Sequence, residues 1–223
     1  MRTIGRWSWP QGVSRVVAAA SSAFGLYTAV FGVLESLLQS SLHLLFALVL
    51  VFLTRVRQAP RRATDAALAL LTLLAYGYIA WNSAAIQARM AFVVPLPTVE
   101  VAIGVVALLL LVEAARRTFG WSLPVLAVGA FLYAWLGFLL PGAFSQSGFT
   151  VPWIVEHLVF STQGIFGLPT FVSATYVAVF VIFGAFLDRF MAGDFFVRLS
   201  HALFGRFAGG PAKIAVISSA LMG

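Results

Sequence analysis

Residues 16–34 read VVAAASSAFGLYTAVFGVL, a run of 19 residues without one charged side chain. A helix of that length spans nearly the full hydrocarbon thickness of a bilayer, for which about 20 apolar residues suffice. Polar side chains do not recur along it at the helical repeat, as an amphipathic surface helix would require. Arg2, Arg6 and Arg15 precede it, a pattern shared with signal peptides. The run is longer than a usual signal core and more apolar runs follow, so it reads as a retained membrane helix.

Working outward, five further runs have the same character. They lie at about residues 40–53 (short, with His43 near its start), 66–81, 100–115, 121–140 and 171–187. The composition agrees: 61% of the 223 residues are hydrophobic and 9% charged. Soluble domains are about 45–50% apolar and about 25% charged. The absence of cysteine excludes a disulfide scaffold, a zinc-thiolate site and a cysteine nucleophile.

The net charge of +7 reports orientation. Alternating the six spans across a bilayer puts Arg2, Arg6, Arg15, Arg55, Arg57, Arg61, Arg62, Arg116, Arg117, Arg189, Arg198, Arg206 and Lys213 on one face. Only Arg89 falls on the other. Basic residues concentrate in cytoplasmic loops, so the N-terminus and all the basic clusters are expected in the cytoplasm. Short clusters between apolar runs are not the continuous basic face that nucleic acid requires. Membrane lipids are the expected surroundings, and topology alone accounts for the arginines.

Two segments depart from simple hairpins. Residues 141–170 contain no Lys or Arg. Within them Thr150 suits an N-cap and Pro152 a first helical turn. A short helix through Trp153, Ile154, Leu158 and Val159 would lie at the periplasmic interface, with Glu156 and His157 towards water. Gly164, Gly167 and Pro169 then break the chain. After the sixth span, Asp194 is placed to cap a helix whose apolar residues Phe196, Leu199, Leu203 and Phe204 recur at helical spacing. Arg198, His201 and Arg206 would keep it on the cytoplasmic membrane surface. Gly209-Gly210-Pro211 ends it. Residues 214–223 begin another apolar run of ten, too short to cross a bilayer. They read as a re-entrant arm or as a sequence that continues further, and the second is favoured. The expected fold is therefore an all-α polytopic membrane protein: six transmembrane helices, an interfacial amphipathic helix and the first arm of a re-entrant hairpin.

Catalytic signatures are absent. His43, His157 and His201 fall in separate segments, and no HExxH, GxSxG or GxxxxGK[ST] motif occurs. The chain is expected not to be an enzyme or an ATP-driven motor. Glu35, Glu100, Glu113 and Asp188 stand at span ends and read as interface residues, and His43 as a packing histidine. Trp81, Trp121, Tyr133 and Trp135 are expected at interfaces or in packing. Gly25, Gly32 and the Gly184-Ala185 pair suggest close helix contacts. No catalytic or metal-binding residue is assigned.

A resemblance enters at the C-terminal stretch. GIFGLP (Gly164–Pro169), FGAFLDRFMAGDFF (Phe183–Phe196) and LFGRFAGGPAKIAVISSALMG (Leu203–Gly223) resemble the opening of the large permease subunit of tripartite ATP-independent periplasmic (TRAP) transporters. Residues 1–115 resemble the small four-helix permease subunit in span count and charge pattern, and residues 116–223 the start of the large one. Together they are similar to the fused type that is often paired with a TAXI-class solute-binding protein.

The resemblance implies a secondary transporter in the bacterial inner membrane. A periplasmic solute-binding protein would deliver an organic acid, and Na+ would be the coupling ion, with no covalently bound cofactor. The rest of the same permease chain would be the remaining partner. The run after GGPAK would be the first arm of a re-entrant hairpin, and its tip would hold the transport site. Ser218, Ser219 and Gly223 are the nearest candidates. A non-transporting polytopic scaffold or assembly protein stays open beside this reading. An intramembrane enzyme would need polar groups within the spans that are not seen.

Overall fold

The computed structural model describes residues 9–54 and 62–204, together with Val216 and Ser219. The described residues are mostly helical, with no strand among them. Among the described residues, six helices are long and apolar enough to cross a membrane. The spans are α1 (Trp9–Phe31), α2 (Ser36–Thr54), α3 (Arg62–Trp81), α5 (Thr98–Phe119), α6 (Ser122–Leu136) and a composite sixth. The sixth consists of α8 (Leu168–Val172), a π-helical turn (Ser173–Val177) and α9 (Ala178–Arg189). Two short helices, α4 (Ser83–Ala88) and α7 (Val151–Val159), lie in the connections between spans, and α10 (Ala192–Phe204) follows the last span.

Residues up to Thr175 form one compact unit and those from Tyr176 a second. In the first, α2 is central and packs against α1, α3, α5 and α8. Leu37, Leu45, Leu48, Val49 and Phe52 of α2 are buried beside Ala69, Tyr76 and Ile79 of α3 and Ala107, Leu110 and Ala114 of α5. Tyr76 shows why this core needs a polar handle. Its ring is fully buried, packs edge-on against Phe166 at 6.1 Å and donates its hydroxyl to the Ala107 carbonyl at 3.2 Å. A buried phenol without such a partner would lose the hydrogen bond it made to water. In contrast, α1 and α6 are largely exposed, as expected of helices facing lipid or further protein. Trp81, Trp121, Tyr133 and Trp135 are all exposed.

The short helix α7 has the expected N-terminus: Thr150 is its N-cap residue and Pro152 sits in its first turn, although the threonine hydroxyl makes no capping bond. Its setting differs from a water-facing helix. Ile154, Val155 and Val159 are buried, and α7 packs against α5. The approach is close because Gly104 has no side chain. A Cβ there would collide with Val155 Cγ1 and touch Phe160 at 3.0 Å.

The expected exposure of Glu156 is therefore corrected: it is 5% exposed, and its Oε1 accepts the Phe92 amide at 3.1 Å. That loop amide satisfies the carboxylate in place of water. Phe92 itself has φ 63°, a left-handed conformation uncommon for a bulky residue. His157 stacks on Trp153 at 5.5 Å.

Three local readings also change. Pro169 does not precede the sixth span but occupies its first turn, where a missing N–H is harmless. Asp194 lies inside α10 and not at its N-cap position, since the helix starts at Ala192. Of the glycines, Gly25 is buried as close packing requires. Gly32 instead ends α1 with φ +103°, and a Cβ on Gly184 would meet nothing within 4 Å. Gly209–Pro211 and most of residues 214–223 lie outside the described residues.

Candidate functional site: a polar seam among the membrane helices

The second span begins earlier than its apolar run, because Glu35 Oε1 accepts the Leu37 amide at 2.9 Å and caps α2. This brings Ser36, Gln39, Ser40 and Ser41 into the helix. Gln39, Ser40 and Ser41 are all fully buried. Polar groups survive inside a membrane protein only where protein partners replace water. For Gln39 the partners come from three directions. Its Oε1 accepts the Leu34 amide at 3.4 Å, and its Nε2 donates to Thr28 Oγ1 at 3.5 Å and to the Ala174 carbonyl at 3.2 Å.

One turn further along α2, His43 Nε2 lies 3.2 Å from Ser173 Oγ. Ser173 and Ala174 open the π-turn of the sixth span. Thr175 folds its hydroxyl back onto the Phe171 carbonyl at 2.8 Å. The result is a polar seam of amide, imidazole and hydroxyl groups joining α2 to an irregular turn. It supplies directed hydrogen bonds. Ser40 Oγ is buried beside these residues in sequence and has no partner among the described residues.

Two groups of ion pairs lie near the ends of helices. In one, Arg89 Nη1 pairs with Glu100 Oε2 at 2.6 Å, and Tyr78 donates to Glu100 Oε1 at 3.3 Å. In the other, Arg117 joins α5 to α3. Its Nη1 pairs with Asp65 at 2.6 Å and its Nε with Glu113 at 2.6 Å, and its guanidinium lies 5.2 Å from the centre of the Phe52 ring. Arg116 holds Glu113 with two bonds of 2.7 Å and lies over the Trp121 ring. Glu100 thus ties the start of α5 to Arg89 after α4, Glu113 holds the two arginines of its own helix, Glu35 caps α2 and Asp188 is exposed.

Of the candidates taken from the family resemblance, Ser219 is helical and exposed. Ser218 and Gly223 lie outside the described residues. The seam itself was missed in the sequence. The only available signal was the cluster of Gln39, Ser40, Ser41 and His43 at the edge of an apolar run, which reads equally well as a loop. No group of three or more His, Asp or Glu side chains arranged to hold a metal occurs among the described residues.

Comparison with known proteins assigns the C-terminal half. The family described as "Tripartite ATP-independent periplasmic transporter, DctM component" matches residues 106–223, from the middle of α5 onward. No curated protein and no solved structure matches the chain. The match covers more than half of the sequence and includes the GIFGLP, FGAFLDRF and GGPAK segments. The chain belongs to the DctM family of tripartite ATP-independent periplasmic transporter permeases.

Proposed function

We propose that this protein is a fused small-plus-large permease of a TRAP transporter, taking up an organic acid that a periplasmic solute-binding protein delivers. The family match over residues 106–223 is the observation that carries the reading. The fused arrangement is supported by the spans that precede the match: α1, α2, α3 and the first part of α5. In this reading residues 1–115 form a scaffold, and residues 116–223 begin the region that carries substrate. The dense packing around α2 suits a static element, since close-packed interiors resist deformation.

Na+ is the proposed coupling ion, with the N-terminus in the cytoplasm and the protein in the inner membrane. The transport site is proposed at a hairpin tip near Ser218, Ser219 and Gly223. Half-helix ends and unwound backbone at such a tip provide carbonyls for a cation and amides for a carboxylate. The charged groups resolved in α3 and α5 pair with one another and are not assigned to substrate. A non-transporting scaffold is not favoured, because the matched family is a transport family.

The test is uptake of a radiolabelled organic acid by proteoliposomes containing the full-length permease, with and without the cognate binding protein. Uptake that requires the loaded binding protein supports the proposal. Absence of uptake with a loaded, verified binding protein overturns it.

A further inference from the structure

The sixth span is irregular at one place, the π-turn Ser173–Val177. Single π-turns inserted into α-helices are rare and recur at functional positions. Opening the backbone ladder inside a membrane requires substitute partners for the freed groups. Here Gln39 of a different helix, α2, donates to the Ala174 carbonyl, Thr175 Oγ1 donates to the Phe171 carbonyl, and His43 of α2 meets the Ser173 hydroxyl beside them. Gln39 is itself fixed by Leu34 and Thr28 and is wholly buried.

The turn also marks a division in the molecule. Ala174 and Thr175 are buried in the first compact unit, which ends at Thr175, whereas α9 beyond the turn has no buried side chain.

We propose that Ser173–Val177 is a register switch, convertible between π and α hydrogen bonding, and that Gln39 and His43 are positioning residues that hold it in the π form. The geometric consequence follows from helix dimensions. Each residue of an α-helix contributes about 100° of rotation and about 1.5 Å of rise. Absorbing the one extra residue of a π-turn therefore rotates the helix beyond Val177 by about 100° and shifts it by about 1.5 Å. Such a step re-aims every side chain of α9 while the clamp residues stay in place. It does not depend on which substrate is carried or on which ion drives transport.

The test uses the full-length permease in lipid nanodiscs, followed by hydrogen exchange and by spin labels. Gln39→Met keeps the side-chain volume and removes the donor; His43→Phe removes the second bond. Interhelical hydrogen bonds in membranes have a modest net value, so the loss of one is expected to accelerate exchange of amides 173–178 by about three- to twenty-fold. Exchange around Tyr76 and Ile79 should stay unchanged.

A register change is separated from simple fraying by a nitroxide on an introduced cysteine. Phe180→Cys and Val181→Cys suit this purpose, since both positions are exposed and residues 1–223 contain no cysteine. Each label should show a second, discrete environment in the Gln39→Met background. Unaltered exchange at 173–178, a rise spread over all helices, or one unchanged label environment would overturn the proposal. If Gln39→Met does not fold, His43→Phe must give the same two signatures, and their absence would overturn it equally.

Discussion

Replacing Arg117 by Leu should destabilise the protein more than replacing its partner Asp65 by Asn, although both changes break the same 2.6 Å bond. The difference lies in what each change leaves behind. The Asp65 side chain is 2% exposed, and Arg117 is its one ion-pair partner among the described residues. Arg117→Leu therefore leaves a buried carboxylate uncompensated, which costs about 3–5 kcal/mol. The position of Asp65 in the first turn of α3 favours negative charge and moves the expectation towards the lower end. Arg117→Leu also removes the bond to Glu113 and the contact with the Phe52 ring.

Asp65→Asn leaves Arg117 paired with Glu113 and still over Phe52, and it keeps an acceptor oxygen at residue 65. The loss is then one charge-assisted hydrogen bond, about 1.5–3 kcal/mol. Combining Asp65→Leu with Arg117→Leu removes both charges together. The double variant should be more stable than Arg117→Leu alone by about 1–3 kcal/mol, because the uncompensated carboxylate is gone.

Unfolding by sodium dodecyl sulfate in mixed micelles, followed through the six tryptophans, measures all four proteins. Equal losses in the two single variants, or a double variant no more stable than Arg117→Leu alone, would refute the reasoning.

Three other predictions concern packing, strain and topology. Gly104→Leu should destabilise by about 1–3 kcal/mol in the same titration, because α7 must retreat from α5. Gly77→Ala, where a Cβ would meet nothing within 4 Å, is the matched control and should change little. Glu156→Ala should release the Phe92 turn, raising exchange of amides 91–95 and lowering stability by about 1–2 kcal/mol; unchanged exchange there would contradict its assigned role. For topology, Met90→Cys should react with a membrane-impermeant maleimide in intact cells, and Phe119→Cys only after permeabilisation; both positions are exposed. The reverse pattern would invert the orientation drawn from the basic clusters.

The spans were legible in the sequence because their determinants are local: apolar length, and charge at the ends. α1, α3, α5 and α6 follow this logic closely, and the beginning of α7 was marked by Thr150 and Pro152. Long-range polar pairing was not legible. Ser36–Ser41 looked like the edge of a span because the partner of Gln39, the Ala174 carbonyl, lies 135 residues away. Glu156 looked hydrated for the same reason, since a backbone amide 64 residues earlier replaces water. The Asp65–Arg117 pair was not read at all, since nothing in the sequence fixes the 2.6 Å approach of two side chains 52 residues apart. The π-turn left no signature, because a helix with one extra residue in a turn has the same apolar pattern over five residues as one without.

The measurement that bears most directly on the account is uptake by the reconstituted full-length permease, supplied with its loaded binding protein, under an imposed inward Na+ gradient. Accumulation that collapses when the gradient is dissipated, or when Na+ is replaced by choline, is the predicted result. Equal uptake with and without the gradient would contradict sodium coupling. No uptake under any gradient, with a verified ligand, would contradict the assignment of this chain to a working secondary transporter.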